Sequence, residues 1–303
     1  MTRRYYVLDV FTETPFAGNP LAVVLDGDGL DDARMQAIAR EFNLSETVFV
    51  REPRDPVHTA ALRIFTPASE LPFAGHSTVG AAALIAQMRA PDILAARDVV
   101  VVLEEGVGPV TCTVRARKGR ALRATFDLPK LPEEAGSPPA QDAIAAALGI
   151  AASDIGFDAH RPSVYSAGNP FTFVPLAGLD AIRRARPQAG LFETTFEGLG
   201  RGAVWLYTRE TEIEGSHVHA RMFAPKLGVA EDPATGSALA AFAGAALRFE
   251  QPEDGDHLLI VEQGFEMGRP SLMMLEVLVR EGRLVGASIG GSVVTVMQGT
   301  LES

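Results

Sequence analysis

The sequence predicts an α+β protein made of two homologous halves, each a curled β-sheet wrapped around one central helix. The tetrapeptide AGNP occurs twice, at 17–20 and 167–170, and further ordered matches follow both copies. Most of each half consists of short runs rich in β-branched and aromatic residues, which are typical of strands. Each half also has one Ala-rich segment without a polar face, and such a helix is usually buried on all sides.

The matches between the halves keep their order along the chain. They share a pattern of apolar and small residues, and they pair RIFTP (63–67) with RMFAP (221–225), GHSTVGAAALIA (75–86) with TGSALAAFAGAAL (235–247), and EEGVGPVTCTV (104–114) with EQGFEMGRPSLMMLEV (262–277). Self-similarity of this kind indicates a duplicated structural unit. We therefore predict a domain over 1–126, a linker over 127–142 and a second domain over 143–303, with the terminal strand 293–301 as a candidate addition to the first.

The elements of the first half follow from local pattern. Its predicted strands alternate apolar and polar residues or form short apolar runs: YYVLDVF, LAVVLD, TVFVRE, AALRIFT, VVVVLEE, VTCTVRA and ALRATFDL. The segment 31–40 is predicted to be helical, and 75–88 is predicted to be the central helix. The linker DLPKLPEEAGSPPAQD is rich in proline and charge and lacks an apolar period, which is typical of a connection between domains.

Composition excludes several classes of function. The chain has 303 residues, a formal net charge of −11 and one cysteine, Cys112. An acidic protein without clustered Lys and Arg is not expected to bind nucleic acid. A single cysteine permits no intramolecular disulfide. The opening MTRRYYVLDV lacks the apolar stretch of a signal peptide, and no apolar run is long enough to span a bilayer, so we expect a cytoplasmic protein without a membrane partner.

The starts of the two central helices are candidate ligand sites. One begins with Gly75 and Ser77, and the other with Thr235, Gly236 and Ser237. Free backbone N–H groups and the helix dipole favour an anion at such a position, although Ser and Thr also simply cap helices. Because the two halves are related, we expect both helix starts to bind one small carboxylate in a cleft between the domains.

Three ionisable residues break the symmetry between the halves. Glu46 precedes a β-run where the second half has Gly202, His76 lies at one helix start, and Asp232 precedes the other. A carboxylate at the mouth of an apolar strand is a candidate general acid/base, since burial raises its pKa towards neutrality. The alternatives are a surface glutamate for Glu46, a capping or packed histidine for His76, and a partner of the helix dipole for Asp232.

Other motifs give weaker indications. His217 and His219 share a strand face, as metal ligands can, but no further ligands stand at useful spacing, so no metal is expected. Arg269 stands at a turn and is a minor candidate for an anion site. GLGRG at 198–202 is not a dinucleotide-binding fingerprint, and no Walker A or G-x-S-x-G motif occurs. We therefore expect no cofactor.

Taken together, AGNPLAVVL, NLSETVFV, RIFTP-x-x-ELPFAGHST, GVAEDPATGSA and VEQGFEMGRPS resemble the PhzF family, named for a phenazine-biosynthesis isomerase. The resemblance covers nearly the whole chain and implies a diaminopimelate-epimerase-like fold, a homodimer and a cofactor-free isomerase. It implies that Glu46 is the proton shuttle, assisted by His76, Asp232 and Ser237. It also places the backbone of Gly75 and Gly236 in the region that binds the substrate carboxylate.

The resemblance also suggests a type of reaction. Related epimerases use two cysteines, one at each helix start, and this chain has none at either place. A single carboxylate can take a proton from one carbon and return it to another, which shifts a double bond, as in trans-2,3-dihydro-3-hydroxyanthranilate isomerases. The alternatives are an amino-acid epimerase or racemase, in which His76 or Asp232 is the second acid/base, and a non-catalytic protein that binds small anions.

Overall fold

The strand-forming segments of this chain fold into two β-rich units, each with one buried helix. The computed structural model describes residues 2–199 and 202–302. The first unit comprises the chain through Pro129 together with the residues from Gly290 onward, and the second comprises Lys130–Ile289.

The elements follow one another along the chain in a nearly repeated order. The first part contains β1 (Thr2–Val10), β2 (Asn19–Val24), α1 (Asp32–Phe42), β3 (Glu46–Arg51), β4 (Ala60–Phe65), β5 (Glu70–Leu71), α2 (Gly75–Arg89), α3 (Pro91–Ala96), β6 (Val99–Glu105), β7 (Gly108–Arg115) and β8 (Leu122–Asp127). The remainder contains β9 (Glu133–Glu134), α4 (Gln141–Leu148), β10 (Ser163–Ser166), β11 (Pro170–Pro175), α5 (Leu179–Arg184), α6 (Leu191–Thr195), β12 (Val204–Thr208), β13 (Val218–Ala224), β14 (Val229–Asp232), α7 (Gly236–Glu250), β15 (Gly255–Gln263), β16 (Ser271–Arg280) and β17 (Arg283–Glu302). Short 3-10 helices lie at Ala152–Asp154, Pro225–Leu227 and Phe265–Met267.

The first unit is a closed barrel. Its strands pair in the order β17, β1, β2, β3, β4, β6, β7 and β8, and β8 pairs back with β17. The β2–β3 and β4–β6 pairs are parallel, whereas β1–β2, β3–β4 and β6–β7 are antiparallel. Closure leaves the barrel strands without an open edge, and α2 fills the interior.

The second unit repeats this pairing order. Strands β10, β11, β12, β13, β15 and β16 pair in sequence, with β11–β12 and β13–β15 parallel and the other pairs antiparallel. The short strand β14 pairs with β13 as β5 pairs with β4. The two central helices follow these short strands. The predicted duplication is therefore present in the topology, and the α+β fold with one central helix in each unit is confirmed.

Both central helices approach their strands closely because they carry small residues. Every residue of α2 from Gly75 to Ala86 is buried. A Cβ added at Gly80 would lie 2.6 Å from a methyl carbon of Leu21, and one added at Gly244 in α7 would lie 2.5 Å from the Tyr165 ring. The Ala and Gly content read from the sequence thus sets the distance between helix and strands.

The repeated AGNP motif occupies equivalent turns before β2 and β11. Gly18 has a φ of 67° and Gly168 a φ of 123°, which are conformations that favour glycine. A Cβ at Gly18 would lie 2.3 Å from the carbonyl oxygen of Val10. The motif therefore supplies the turn that leads into β2 in the first unit and into β11 in the second.

The division of the chain differs in two places from the expectation. Residues 130–142, predicted as linker, belong to the second unit, and Glu133–Glu134 pairs with β10 there. The last strand, β17, enters the first unit at Gly290 and pairs with β1, so the first unit includes 290–302 rather than 293–301 alone. Among the described residues, no helix is long and apolar enough to cross a membrane.

Candidate active site

The entry to α2 is held by an arginine on the neighbouring strand. Arg63 on β4 donates two hydrogen bonds, of 2.7 and 2.6 Å, to the carboxylate of Glu70 on β5. Its guanidinium carbon also lies 5.1 Å from the centre of the Phe65 ring. A bidentate pair of this kind fixes orientation as well as distance. The segment that leads from β5 into α2 is therefore anchored to the barrel wall.

The second unit repeats this anchor at the entry to α7. Arg221 on β13 donates hydrogen bonds of 2.7 and 2.9 Å to Glu231 on β14, and its guanidinium carbon lies 4.8 Å from the centre of the Phe223 ring. Arg221 is 2% exposed, so this copy of the anchor is buried. The shared R-x-F-x-P pattern in the sequence therefore encodes a structural anchor, which places the start of each central helix.

Neither central helix is capped by a side chain. The N-cap residue of α2 is Ala74, which has no polar side chain, and α7 has no side-chain cap hydrogen bond either. The N-cap residue of α7 is Thr235, and its hydroxyl donates to Asp232 Oδ2 at 2.5 Å instead of capping the helix. The first-turn N–H groups of both helices are thus not occupied by a cap, and the helix dipole makes each start favourable for an anion.

Glu46 is the first residue of β3 and lies against the start of α2. The Ser77 hydroxyl donates a 2.5 Å hydrogen bond to Glu46 Oε2, and His76 Nδ1 lies 3.4 Å from the same oxygen. The Glu46 side chain is 13% exposed and that of His76 is 6% exposed. The alternative of a surface glutamate at a strand edge is therefore excluded by the burial of Glu46.

Burial sets the protonation behaviour of this carboxyl group. Removal from water disfavours the charged form and raises the pKa of Glu46 to about 7, while the hydrogen bond from Ser77 opposes part of that rise. A group with a pKa near neutrality can both accept and return a proton at physiological pH. This property cannot be read from the sequence, because it depends on what β3 packs against.

The register of the strands corrects one detail of the sequence comparison. Leu21, one residue after the first AGNP, pairs with Glu46 in the first unit. In the second unit Thr172, two residues after the second AGNP, pairs with Val204. One residue back along both strands, the counterpart of Glu46 is therefore Ala203, not Gly202. A shift of one residue along a strand moves the side chain to the other face, so the identity of the counterpart matters. Ala203 is buried and carries no ionisable group. The first unit therefore has an ionisable side chain at this position, and the second unit has none.

In the second unit, Asp232 and Thr235 form a buried cluster that also contains a glutamine. Gln263 Nε2 donates to the Asp232 carbonyl at 2.7 Å and to Thr235 Oγ1 at 3.0 Å. The Trp205 indole N–H donates to Gln263 Oε1 at 3.0 Å. Gln263 thus fixes the loop before α7. Sequence reasoning assigned this residue no role, although it lies in the quoted motif VEQGFEMGRPS and is a polar side chain at the end of an apolar strand.

Other candidates from the sequence have structural roles. Burial disfavours the charged form of His219, but the carboxylates of Glu262 and Glu266, which lie 3.4 and 3.0 Å from its ring nitrogens, favour that form more strongly and raise its pKa to about 9. A protonated imidazole cannot ligate a metal. Among residues 2–199 and 202–302, no group of three His, Cys, Asp or Glu side chains is placed to hold a metal ion. The Cys112 thiol is fully buried, and burial raises its pKa, so it is unreactive. GLGRG extends into residues 200 and 201, which lie outside the described residues.

Comparison with known proteins identifies the family. A family model described as phenazine biosynthesis-like protein matches residues 8–299. The chain belongs to this family. It is 49% identical to an uncharacterized isomerase of Mesorhizobium japonicum, with 99% of both chains covered. It is 34% identical to the trans-2,3-dihydro-3-hydroxyanthranilate isomerase of Pseudomonas fluorescens, with 98% of both chains covered. The PhzF-like protein described here is thus an enzyme of the isomerase class.

Solved structures confirm the fold of this PhzF-like protein. A PhzF-family protein of Bacillus anthracis superposes with a TM-score of 0.88 at 26% identity, with 100% of both chains covered. A predicted epimerase of Pseudomonas aeruginosa gives a TM-score of 0.80 at 33% identity over 99% of both chains. A hydroxyproline epimerase of Agrobacterium vitis, at 13% identity and a TM-score of 0.65, shares the fold alone. The expected diaminopimelate-epimerase-like architecture is therefore confirmed.

The predicted site residues of the PhzF-like protein fall into two clusters. In the first unit, Glu46, His76 and Ser77 are in contact, and Gly75 is the first residue of α2. The second-unit cluster lies at the end of β14 and the start of α7 and comprises Asp232, Thr235, Gly236 and Ser237. That both clusters serve one ligand remains a prediction.

Proposed function

We propose that this PhzF-like protein moves a proton within a small carboxylate substrate and so shifts a double bond, with Glu46 as general acid and base and without a cofactor. The observation that carries the proposal is the buried Glu46 carboxyl group, hydrogen-bonded to Ser77 beside an uncapped helix start. Relatives named trans-2,3-dihydro-3-hydroxyanthranilate isomerase supply the first candidate substrate.

The reaction requires Glu46 to alternate between two protonation states. The carboxylate first takes a proton from one carbon, and the resulting acid returns a proton to another carbon of the delocalised intermediate. Since burial brings its pKa to about 7, neither state is strongly disfavoured at neutral pH. The Ser77 hydroxyl stabilises the carboxylate, and a protonated His76, 3.4 Å away, would do the same. Acid–base catalysis of this type contributes about 10²–10⁴ in rate.

The start of α2 supports recognition of a substrate carboxylate. Gly75 and Ser77 lie in the first turn of α2, whose N-cap residue, Ala74, makes no side-chain cap hydrogen bond. An anion there would gain roughly 0.3–2 kcal/mol from the helix dipole, besides the hydrogen bonds it accepts. We extend the same proposal to Gly236 and Ser237 at the uncapped start of α7.

Double-bond migration fits the ionisable groups better than inversion at one carbon. Inversion needs two opposed acid/base groups of comparable strength, and the one cysteine, Cys112, is buried and unreactive. Glu46 and Asp232 each accept a 2.5 Å hydrogen bond from a neighbouring hydroxyl, and the assignment of the proton transfer to Glu46 is based on its pKa near neutrality. If the protein were an amino-acid epimerase, incubation with a panel of amino acids would lower the optical rotation of at least one of them.

Solvent-deuterium incorporation tests the proposal directly. The wild type and Glu46→Gln are incubated in D₂O with trans-2,3-dihydro-3-hydroxyanthranilate and related dihydroaromatic acids, and deuterium at carbon is followed by NMR. We expect incorporation by the wild type and a loss of about 10²–10⁴ in rate for Glu46→Gln. Glu41→Gln, which removes an exposed carboxylate from α1, is the matched control and should behave as the wild type.

Equal rates for the wild type and Glu46→Gln would remove Glu46 from its role. Tight binding of the acid without exchange in any variant would instead favour a non-catalytic anion-binding protein. Asp232→Asn tests the second cluster in the same assay, and we expect it to lose activity as well. The homodimer and the cytoplasmic location stay predictions, and light scattering of the purified chain tests the first.

A further inference from the structure

Glu105 is a second buried carboxyl group close to the start of α2, and it has no part in the proposed reaction. It is the last residue of β6 and is 8% exposed. Its Oε1 lies 2.8 Å from Thr78 Oγ1, while its buried Oε2 has no hydrogen-bond partner among the described residues. A charged carboxylate with one oxygen left unsatisfied in the interior is costly, so the neutral acid is favoured here.

The hydrogen bonds of Thr78 locate the proton. Thr78 Oγ1 lies 2.9 Å from the carbonyl oxygen of Ala74 and 2.8 Å from Glu105 Oε1, and a hydroxyl group has only one hydrogen to donate. The Ala74 carbonyl can only accept. If Thr78 donates to Ala74, then Oε1 must donate to Thr78, which requires protonated Glu105. The chain Glu105–Thr78–Ala74 is therefore complete only in the neutral form of the acid.

This chain ends at the turn that carries the proposed active site. Ala74 is the N-cap residue of α2, and Thr78 directly follows Ser77, which donates to Glu46. Burial and the like charge of Glu46 raise the pKa of Glu105 to about 8, and Thr78 opposes that rise only where it gives its hydrogen to Glu105 instead of Ala74. The two carboxyl groups are thus linked both through the first turn of α2 and through their charges.

We propose that Glu105, in its protonated form, is a positioning residue that holds the first turn of α2, through Thr78, so that Ser77 and His76 face Glu46. The inference deepens the proposed function and rests on it. Glu105 itself is not assigned any contact with the substrate. Glu105 is protonated in the substrate-free site, and loss of this proton perturbs the first turn of α2.

The other titratable groups around Glu105 do not replace this role. Cys112 on β7 faces it, and burial together with the charges of Glu105 and Asp127 raises the pKa of that thiol, so it remains neutral. Asp127, the last residue of β8, acts on the Cys112 thiol through its charge. On α2, His76 contacts Glu46. The charge that Glu105 senses most directly is therefore that of Glu46 on β3.

Ionisation of Glu105 should affect substrate binding first. Above a pH of about 8 a second negative charge appears beside the α2 start, where the substrate carboxylate is proposed to bind. Thr78 must then share its hydroxyl hydrogen between Ala74 and the new carboxylate. Both changes weaken anion binding, so KM should rise at alkaline pH, by about tenfold for each further pH step of one if the ionised form does not bind.

The pH profiles of kcat and KM test the inference in four proteins. We expect the wild type to show the alkaline rise in KM, and Glu105→Gln, which keeps a donor for Thr78 and cannot ionise, to lose that rise. Thr78→Val breaks the chain and should lower kcat at every pH. Thr47→Val is the matched control, since Thr47 is the neighbour of Glu46 and its buried hydroxyl has no hydrogen-bond partner among the described residues. It should behave as the wild type.

Two results would overturn the inference. One is an unchanged alkaline rise of KM in Glu105→Gln, and the other is an equal effect of Thr78→Val and Thr47→Val. Carbon-13 NMR of labelled glutamate carboxyl groups adds a readout that needs no substrate, because Glu46→Gln should lower the pKa of Glu105 by removing a like charge. An active Glu46→Gln protein would contradict the proposed function instead. Failure of the proposed function and failure of the Glu105 inference can therefore be distinguished.

Discussion

Replacement of Glu46 by Gln should stabilise the protein at alkaline pH, although we expect it to abolish activity. The amide is neutral at every pH and still offers Ser77 an acceptor. In the wild type, the ionised carboxylate must remain in a site where its side chain is 13% exposed. The cost of keeping that charge buried is removed by the substitution.

The size of the effect follows from the pKa. Burial raises the pKa of Glu46 from its ordinary value of 4.5 to about 7. Each difference of one in pKa between the folded and unfolded chain is worth about 1.36 kcal/mol, so the full effect is about 3 kcal/mol. Because the folded pKa is the higher one, the protonated Glu46 of the wild type carries no penalty below pH 4.5. The free energy of unfolding of the wild type then falls by about 3 kcal/mol as the pH rises from 4.5 through 7.

Urea unfolding followed by far-UV circular dichroism measures this difference. We expect Glu46→Gln and the wild type to have similar free energies of unfolding near pH 4.5, and the variant to be more stable by about 3 kcal/mol above a pH of about 8. Glu41→Gln, the exposed control on α1, should follow the wild type throughout. A Glu46→Gln advantage that is absent, or that does not change with pH, would refute the reasoning that burial sets this pKa.

Four further substitutions test the structural supports of the site. Gln263→Leu leaves the Trp205 N–H without its partner, and we expect a loss of about 2–4 kcal/mol, measured by unfolding followed through the fluorescence of this single tryptophan. Arg221→Met breaks the buried anchor and should cost about 3–5 kcal/mol, whereas Arg63→Met breaks its more exposed counterpart and should cost about 1 kcal/mol. A reversed order in urea midpoints would contradict the role assigned to burial. Gly80→Ala places a Cβ 2.6 Å from a Leu21 methyl carbon and should cost about 1–3 kcal/mol, seen as a lower Tm.

Most of the fold could be predicted because the relevant signals are local or repeated. The Ala-rich segments without a polar face can only be stable when buried, and both are central helices. The ordered sequence matches between the halves indicated a duplication, and the strands of the two units pair in the same order. The terminal strand 293–301 was predicted as a candidate part of the first unit, which contains it. That 130–142 joins the second unit was not predicted, because strand pairing across the chain decides which unit a short segment joins.

The candidate site was predicted in part for the same reason. Glu46, His76, Ser77 and Asp232 stand in recognisable motifs at element boundaries. Gln263 and Glu105 also lie in quoted segments, VEQGFEMGRPS and EEGVGPVTCTV, but no role was assigned to them, since a polar residue at the end of a strand faces solvent as often as a neighbouring loop or helix. Their roles depend on partners distant in the sequence, such as Thr78 for Glu105.

By itself, the sequence determined the duplication, the two small-residue helices and the absence of a cysteine at either helix start, because composition and periodicity are properties of the chain. Only the tertiary structure decided that Glu46 is withdrawn from water and contacts Ser77, which is 31 residues away. The pKa of a carboxyl group depends on the free energy of its charge in its surroundings. Those surroundings exist only when β3 and the start of α2 are packed together.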